Sequence, residues 1–155
     1  MTEIRHILLV EDNAQDEELT LRVLAKHRLA NHVVVARDGQ EVLDYLFGRG
    51  AYSINRPAPP ALILLDLGLP KINGLEVLRQ IKADARLKNI PIVVITASRQ
   101  EQDTQECHRL GIHAFVVKPM DFLEFVEAVK RLEIFWALVT KPPAPPDAGG
   151  PASTT

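Results

Sequence analysis

The chain has 155 residues, 46% of them hydrophobic and 25% charged, with a formal net charge of −2. That size and balance suit one globular domain that buries its core without disulfides or a structural metal, and they exclude the broad basic surface that nucleic acids require. The single cysteine, Cys107, excludes an internal disulfide, no Cys/His cluster suggests zinc, and a reducing cytoplasm fits.

In chain order, the first apolar run is Ile7–Val10, which stops at Glu11-Asp12. It is too short for a secretory h-region or a membrane span and reads as a strand. A helix is expected over about residues 16–27, with Leu19, Val23 and Leu24 on one face. Val33–Ala36 is a second strand, and Val42, Leu43, Leu46 and Phe47 mark a second helix. Residues 49–60 form a Pro-rich connection longer than such loops usually are. Leu62–Leu65 is a third strand, followed by a helix carrying Leu75, Leu78 and Ile81, with Gly74 turning the chain into it. Ile92–Ile95 is a fourth. The helix after it, about residues 100–110, is mostly polar, with Cys107 and Leu110 its clear apolar positions and Gly111 its left-handed end. Phe115–Val117 is the fifth strand. A fifth helix begins near Asp121 and carries Phe122, Phe125, Val126, Val129 and Leu132.

Short runs that are apolar at consecutive positions read as strands buried on both faces. Their strict alternation with helices argues for a parallel sheet covered on both sides. Residues 1–140 are assigned to this domain. Residues 141–155, rich in Pro, Ala, Gly, Ser and Thr, are assigned to a disordered tail.

In open sheets of this kind, ligands gather outside the carboxyl ends of the strands. Glu11-Asp12 follow the first strand, Asp66 the third, Thr96 the fourth and Lys118 the fifth. Three carboxylates brought together repel one another and stay ionised only beside a cation. Oxygen ligands without sulfur or imidazole favour Mg²⁺ or Mn²⁺. Lys118 suits one phosphate oxygen and the Thr96 hydroxyl another, which leaves Asp66 as a nucleophile for a phosphoryl group. Each residue also has a plain reading: Glu11-Asp12-Asn13 as a helix cap, Asp66 and Thr96 as turn residues, Lys118 as a solvated lysine. Their conjunction at successive strand ends favours the chemical one.

Four segments carry a resemblance: Ile7-Leu8-Leu9-Val10-Glu11-Asp12, Leu65-Asp66-Leu67-Gly68-Leu69-Pro70 with Asn73-Gly74, Ile95-Thr96-Ala97, and Gly111 through Lys118-Pro119. Together they resemble the receiver domain of two-component response regulators. The resemblance implies a flavodoxin-like, doubly wound five-stranded sheet in the order 2-1-3-4-5. It implies Asp66 as phosphoacceptor, and Asp12, Asp66, the Gly68 carbonyl and, through water, Glu11 as the metal site. Thr96, Ala97 and Lys118 would border the phosphoryl group, Thr96 and Phe115 would move on activation, and Pro119 would follow a cis peptide. Phe115 also reads as an ordinary core aromatic. The implied donor is a sensor histidine kinase, and the implied role a switch rather than an enzyme.

The long loop before Asp66 and the Phe135-Trp136 ending resemble stand-alone regulators of bacterial and cyanobacterial phytochromes. That likeness implies a phytochrome-type kinase and a homodimer through the fourth and fifth helix face, involving Phe122, Phe125, Val129, Phe135 and Trp136. A phosphorelay intermediate or a non-phosphorylating docking protein is the alternative. A dehalogenase-type phosphatase fails, because its acid would have to stand where Gly68 stands. A nucleotide- or flavin-binding module fails because Glu11-Asp12 occupy the place of its phosphate loop.

Overall fold

The structure, a computed structural model, describes residues 6–26 and 32–118, together with Leu123, Phe125 and Glu127. Among the described residues five strands and four bounded α-helices alternate: β1 (Ile7–Val10), α1 (Ala14–Lys26), β2 (Val33–Ala36), α2 (Gly39–Phe47), β3 (Leu62–Leu65), α3 (Gly74–Lys82), β4 (Ile92–Thr96), α4 (Glu101–Leu110) and β5 (Ala114–Val117). The strands pair in parallel in the order β2-β1-β3-β4-β5, as the resemblance implied. Leu123, Phe125 and Glu127 are helical, and the limits of the expected fifth helix lie outside the described residues.

The period-two alternation of the strands divides the core in two. Leu8, Val10, Ile63, Leu65, Ile92 and Val94 face α2, α3 and Cys107 of α4. Ile7, Leu9, Leu62, Leu64, Val93 and Ile95 face Val23 and Leu24 of α1, together with Phe125. The three central strands are buried throughout. The edge strands correct the uniform expectation: Val33–Val35 of β2 and most of β5 are half-buried, because each has a neighbour on one side only. Phe125 is a second correction. Expected at a self-association face, it is fully buried in the core cluster of β1, β3 and α1, so it has no surface to offer a second copy.

Local signals start and stop the helices. Asn13 accepts the Asp16 N–H at 2.9 Å and caps α1. Asp38 accepts the Glu41 N–H at 2.7 Å to cap α2, and that bond holds its carboxyl below the usual range. Asn73 caps α3 in the same way. Gly111 ends α4 at φ 95°, the left-handed conformation expected of it. The long connection after α2 is tied down by the Arg56 guanidinium, which donates to the Leu46 carbonyl at 2.9 Å. Tyr52 adds an edge contact on Tyr45, whose hydroxyl meets His6 at 2.9 Å.

The loop from Leu67 to Asn73, directly after the Asp66 strand end, is clamped from both sides. Gly74 donates to the Leu67 carbonyl at 2.8 Å, and a Cβ there would sit 2.3 Å from the Asp66 carbonyl oxygen. Gly39 donates to Pro70, and a Cβ there would sit 1.9 Å from the Ile72 oxygen. Within the loop Lys71 takes a positive φ of 70° and pairs with Asp38. Gly74→Ala is therefore expected to cost about 1–3 kcal/mol of stability in urea unfolding, the usual scale of overpacking. A loss under about 0.5 kcal/mol would show that the loop moves aside freely.

Candidate functional site

Parallel pairing itself builds the site. The ladder runs one residue past the strands: the Glu11 N–H donates to Ala36, Asp66 to Val10 and Lys118 to Thr96, at 2.9, 3.1 and 2.7 Å. Glu11, Asp66 and Lys118 thus stand on one rim with Thr96, the last residue of β4. Asp66, Thr96 and Lys118 border a cavity of about 370 Å³ lined also by Asp12, Asn13, Asp16, Leu67, Gly68, Ala97, Ser98 and Asp103. A larger hollow of about 540 Å³ along α1 and Arg37 contains none of the rim residues.

Lys118 stands at the centre of the charges. Its ammonium donates to Glu11 Oε1, Asp16 Oδ2 and Asp66 Oδ2, each at 2.9 Å. Burial works against that charge, but the three hydrogen bonds outweigh it and hold the group above the ordinary lysine range. Glu11 goes the other way. Burial, the largest influence, pushes its carboxyl up to about 7 against the pull of the Lys118 hydrogen bond, and the Asp66 charge adds to the rise. The remaining Glu11 oxygen accepts the Asn13 N–H at 3.2 Å, and Asp66 Oδ1 accepts the Gly68 N–H at 3.0 Å. Since Asn13 does the capping of α1, Glu11 and Asp12 are left for the rim.

One carboxylate oxygen each from Glu11, Asp12 and Asp66 lie within 4.8 Å of one another. Four carboxylates, counting Asp16, face one ammonium. This donor set, all hard oxygen with an excess of negative charge, fits a divalent cation. Position 68 is open: an added Cβ would meet nothing nearer than Asp66 Oδ1 at 3.9 Å.

Thr96 is buried, and its hydroxyl accepts the Ser98 N–H at 3.3 Å. Ala97 is exposed at the cavity mouth. Phe115 pairs in register with Val94, two residues before Thr96, and is half-buried against the α4 side of the core with His108 6.5 Å away. Pro119, Phe122, Val129, Phe135 and Trp136 lie outside the described residues. Cys107 is inert packing, its thiol pushed up to about 11 by burial.

Sequence reasoning missed Asp16, Ser98 and Asp103. Asp16 stands in the first turn of α1, just after the Asn13 cap, and lines the same cavity as Asp12. The Ser98 hydroxyl donates to Asp103 at 2.6 Å, which joins the β4–α4 loop to the first turn of α4.

The family model for the response regulator receiver domain matches residues 7–130. The chain belongs to that family. Response regulator Rcp1 of Synechocystis sp. is 38% identical over 138 residues, covering 89% of this chain and 92% of that protein. The solved structure of its Mn²⁺-bound form superposes with a TM-score of 0.74, at 37% identity over 91% of this chain and all of that one. The bacteriophytochrome response regulator AtBRR is 53% identical, with a TM-score of 0.77 over 90% of this chain and all of its own. Phosphorylated RcpA, a cyanobacterial phytochrome response regulator, is 38% identical, with a TM-score of 0.73 over 92% of this chain and all of that one. Among the described residues no helix is long and apolar enough to cross a membrane.

A divalent cation at the Glu11-Asp12-Asp66 cluster would compete with the Glu11 proton, so divalent-metal affinity is expected to rise as pH climbs through about 7. Burial lifts the folded-state value to about 7, above the ordinary carboxylate range, so Glu11 binds its proton more tightly in the folded protein. Its contribution to stability without metal therefore falls as pH rises from the ordinary carboxylate range to about 7. Calorimetric Mg²⁺ titrations at about pH 6 and 8 check this. Equal affinity at both would contradict it, and Glu11→Gln should flatten the dependence.

Proposed function

We propose that this receiver takes a phosphoryl group from a phosphohistidine onto Asp66 in a Mg²⁺-dependent reaction, and that the donor is a phytochrome-type sensor histidine kinase. The single observation that carries the reading is the 2.9 Å bond from the Lys118 ammonium to Asp66 beside the Glu11-Asp12-Asp66 cluster. A carboxylate oxygen of Asp66 attacks phosphorus, the phosphorus–nitrogen bond to the donor imidazole breaks, and its electron pair stays on the ring. Lys118 takes one phosphoryl oxygen and the Thr96 hydroxyl another, while the small Ala97 leaves the mouth open to the donor. Mg²⁺ or Mn²⁺, held by Asp12, Asp66, the Gly68 carbonyl and Glu11 through water, would neutralise charge that develops during transfer. Metal in the Mn²⁺-bound Rcp1 structure supports that assignment.

The signal would leave the site when Thr96 gives up the Ser98 N–H and turns to the phosphoryl group, with the Phe115 ring filling the space vacated. The sparsely buried α4, anchored in the core through Cys107, is suited to shift in response. The chain is a switch that assists its own phosphorylation and dephosphorylation rather than an enzyme acting on a separate substrate. A cytoplasmic place fits the single free thiol. AtBRR and RcpA, named for bacteriophytochrome and phytochrome signalling, support the choice of kinase class.

Intact mass is the test, with a small acyl phosphate and with an autophosphorylated phytochrome-type kinase as donors. Wild type should gain one phosphoryl group from either donor, only with Mg²⁺, and Asp66→Asn should gain none. Wild type unchanged by either donor, while still binding Mg²⁺, would mark the chain as a docking protein instead.

A further inference from the structure

An ammonium has three N–H donors, and in this site all three of Lys118 are spent, on Glu11, Asp16 and Asp66, at the same 2.9 Å. Lys118 can meet a phosphoryl oxygen only by giving up a partner. The three partners are not equally easy to lose. The Glu11 side chain is 3% exposed and that of Asp66 8%, whereas Asp16 is 38% exposed. A carboxylate stripped of its cation in a buried place bears a large desolvation cost, while one at the surface recovers hydration from water. Asp66 is also the acceptor, from which Lys118 must not retreat as a phosphoryl group approaches.

We infer that Asp16 holds Lys118 in the resting site and is the partner that Lys118 releases when a phosphoryl group arrives, so that Asp16 is a positioning residue that restrains phosphorylation. This rests on the reading of Asp66 as the phosphoacceptor. Asp16 is well placed for the part. Its backbone is fixed by the Asn13 cap at 2.9 Å, and in the first turn of α1 its freed carboxylate keeps the favourable field of the helix N-terminus. Its charge also borders the cavity that an anionic donor must enter, which adds to the restraint. Release of Asp16 would carry the event from the rim to the start of α1.

The test compares wild type with Asp16→Ala and Asp16→Glu. The second-order rate constant for phosphoryl uptake from a small acyl phosphate, followed by intact mass with Mg²⁺, should rise about two- to fivefold in Asp16→Ala, the scale of a partly exposed ion pair. Asp16→Glu, which keeps the charge, should return it toward wild type. A merely structural salt bridge predicts a slower or equal rate in Asp16→Ala, and that result would overturn the inference. The bond itself is read without phosphorylation from the ¹⁵N NMR signal of the Lys118 ammonium. The signal should be protected in wild type and weakened in Asp16→Ala, and an unchanged signal also overturns the inference. If no form gains mass, the phosphoacceptor reading fails separately, and the ammonium signal still decides whether Asp16 holds Lys118.

Discussion

One ammonium holds together three carboxylates that would otherwise repel each other at the carboxyl rim of the sheet. Lys118 reaches Glu11 from β1, Asp16 from α1 and Asp66 from β3, spanning the sheet from its fifth strand. Removing the cation from such an arrangement would leave buried charge uncompensated, a loss that typically costs about 3–5 kcal/mol. The same arrangement is short of positive charge, with Asp12 bringing a fourth carboxylate to the rim. That shortage leaves room for a divalent cation and makes the site responsive to a further anionic group. Burial of Glu11, which pushes its carboxyl up to about 7, is where the strain of this balance is felt.

The rim depends on strand register. Val10 stands opposite Leu65, and Thr96 opposite Val117, so the next residues, Glu11, Asp66 and Lys118, arrive together. A slip of one residue would turn each of these side chains to the other face and put core residues in water. The apolar runs therefore do two things at once: they hold the core and they aim the chemistry. Around the rim, Gly39 and Gly74 allow close backbone approach and fix the loop that follows Asp66. On the far side the polar α4 is tied to the rim by Ser98 and Asp103 and to α3 by Arg79 and Glu106. A rigid rim facing a helix that buries little beyond Cys107 is the arrangement the proposed switch requires.

Much of this was legible in the residues. The strands announced themselves as short branched-chain runs, and each rim residue directly follows or closes one, so order along the chain carried position in space. What was not legible is non-local. Asp16 sits in a helix first turn, where acids are common for the helix field alone, and only the fold brings it to Lys118. Gly39 matters because a loop more than 30 residues away packs on it. Lys71 takes a left-handed backbone that nothing in its side chain foretells. The edge strands β2 and β5 are as apolar in sequence as the central ones, and only strand order exposes them. Resemblance assigns Phe125 to a self-association face, whereas the sheet beneath it takes that ring into the core.

The central claim is that this rim makes Asp66, and no neighbouring hydroxyl, the phosphoryl acceptor. Borohydride reduction of the phosphorylated protein tests it most directly, because an aspartyl phosphate is cleaved to homoserine while phosphoserine and phosphothreonine are untouched. Peptide mass should show homoserine at position 66 alone, and only when Mg²⁺ was present during phosphorylation. A phosphoryl group that survives borohydride on Thr96 or Ser98, or homoserine at another carboxylate of the rim, would contradict the account.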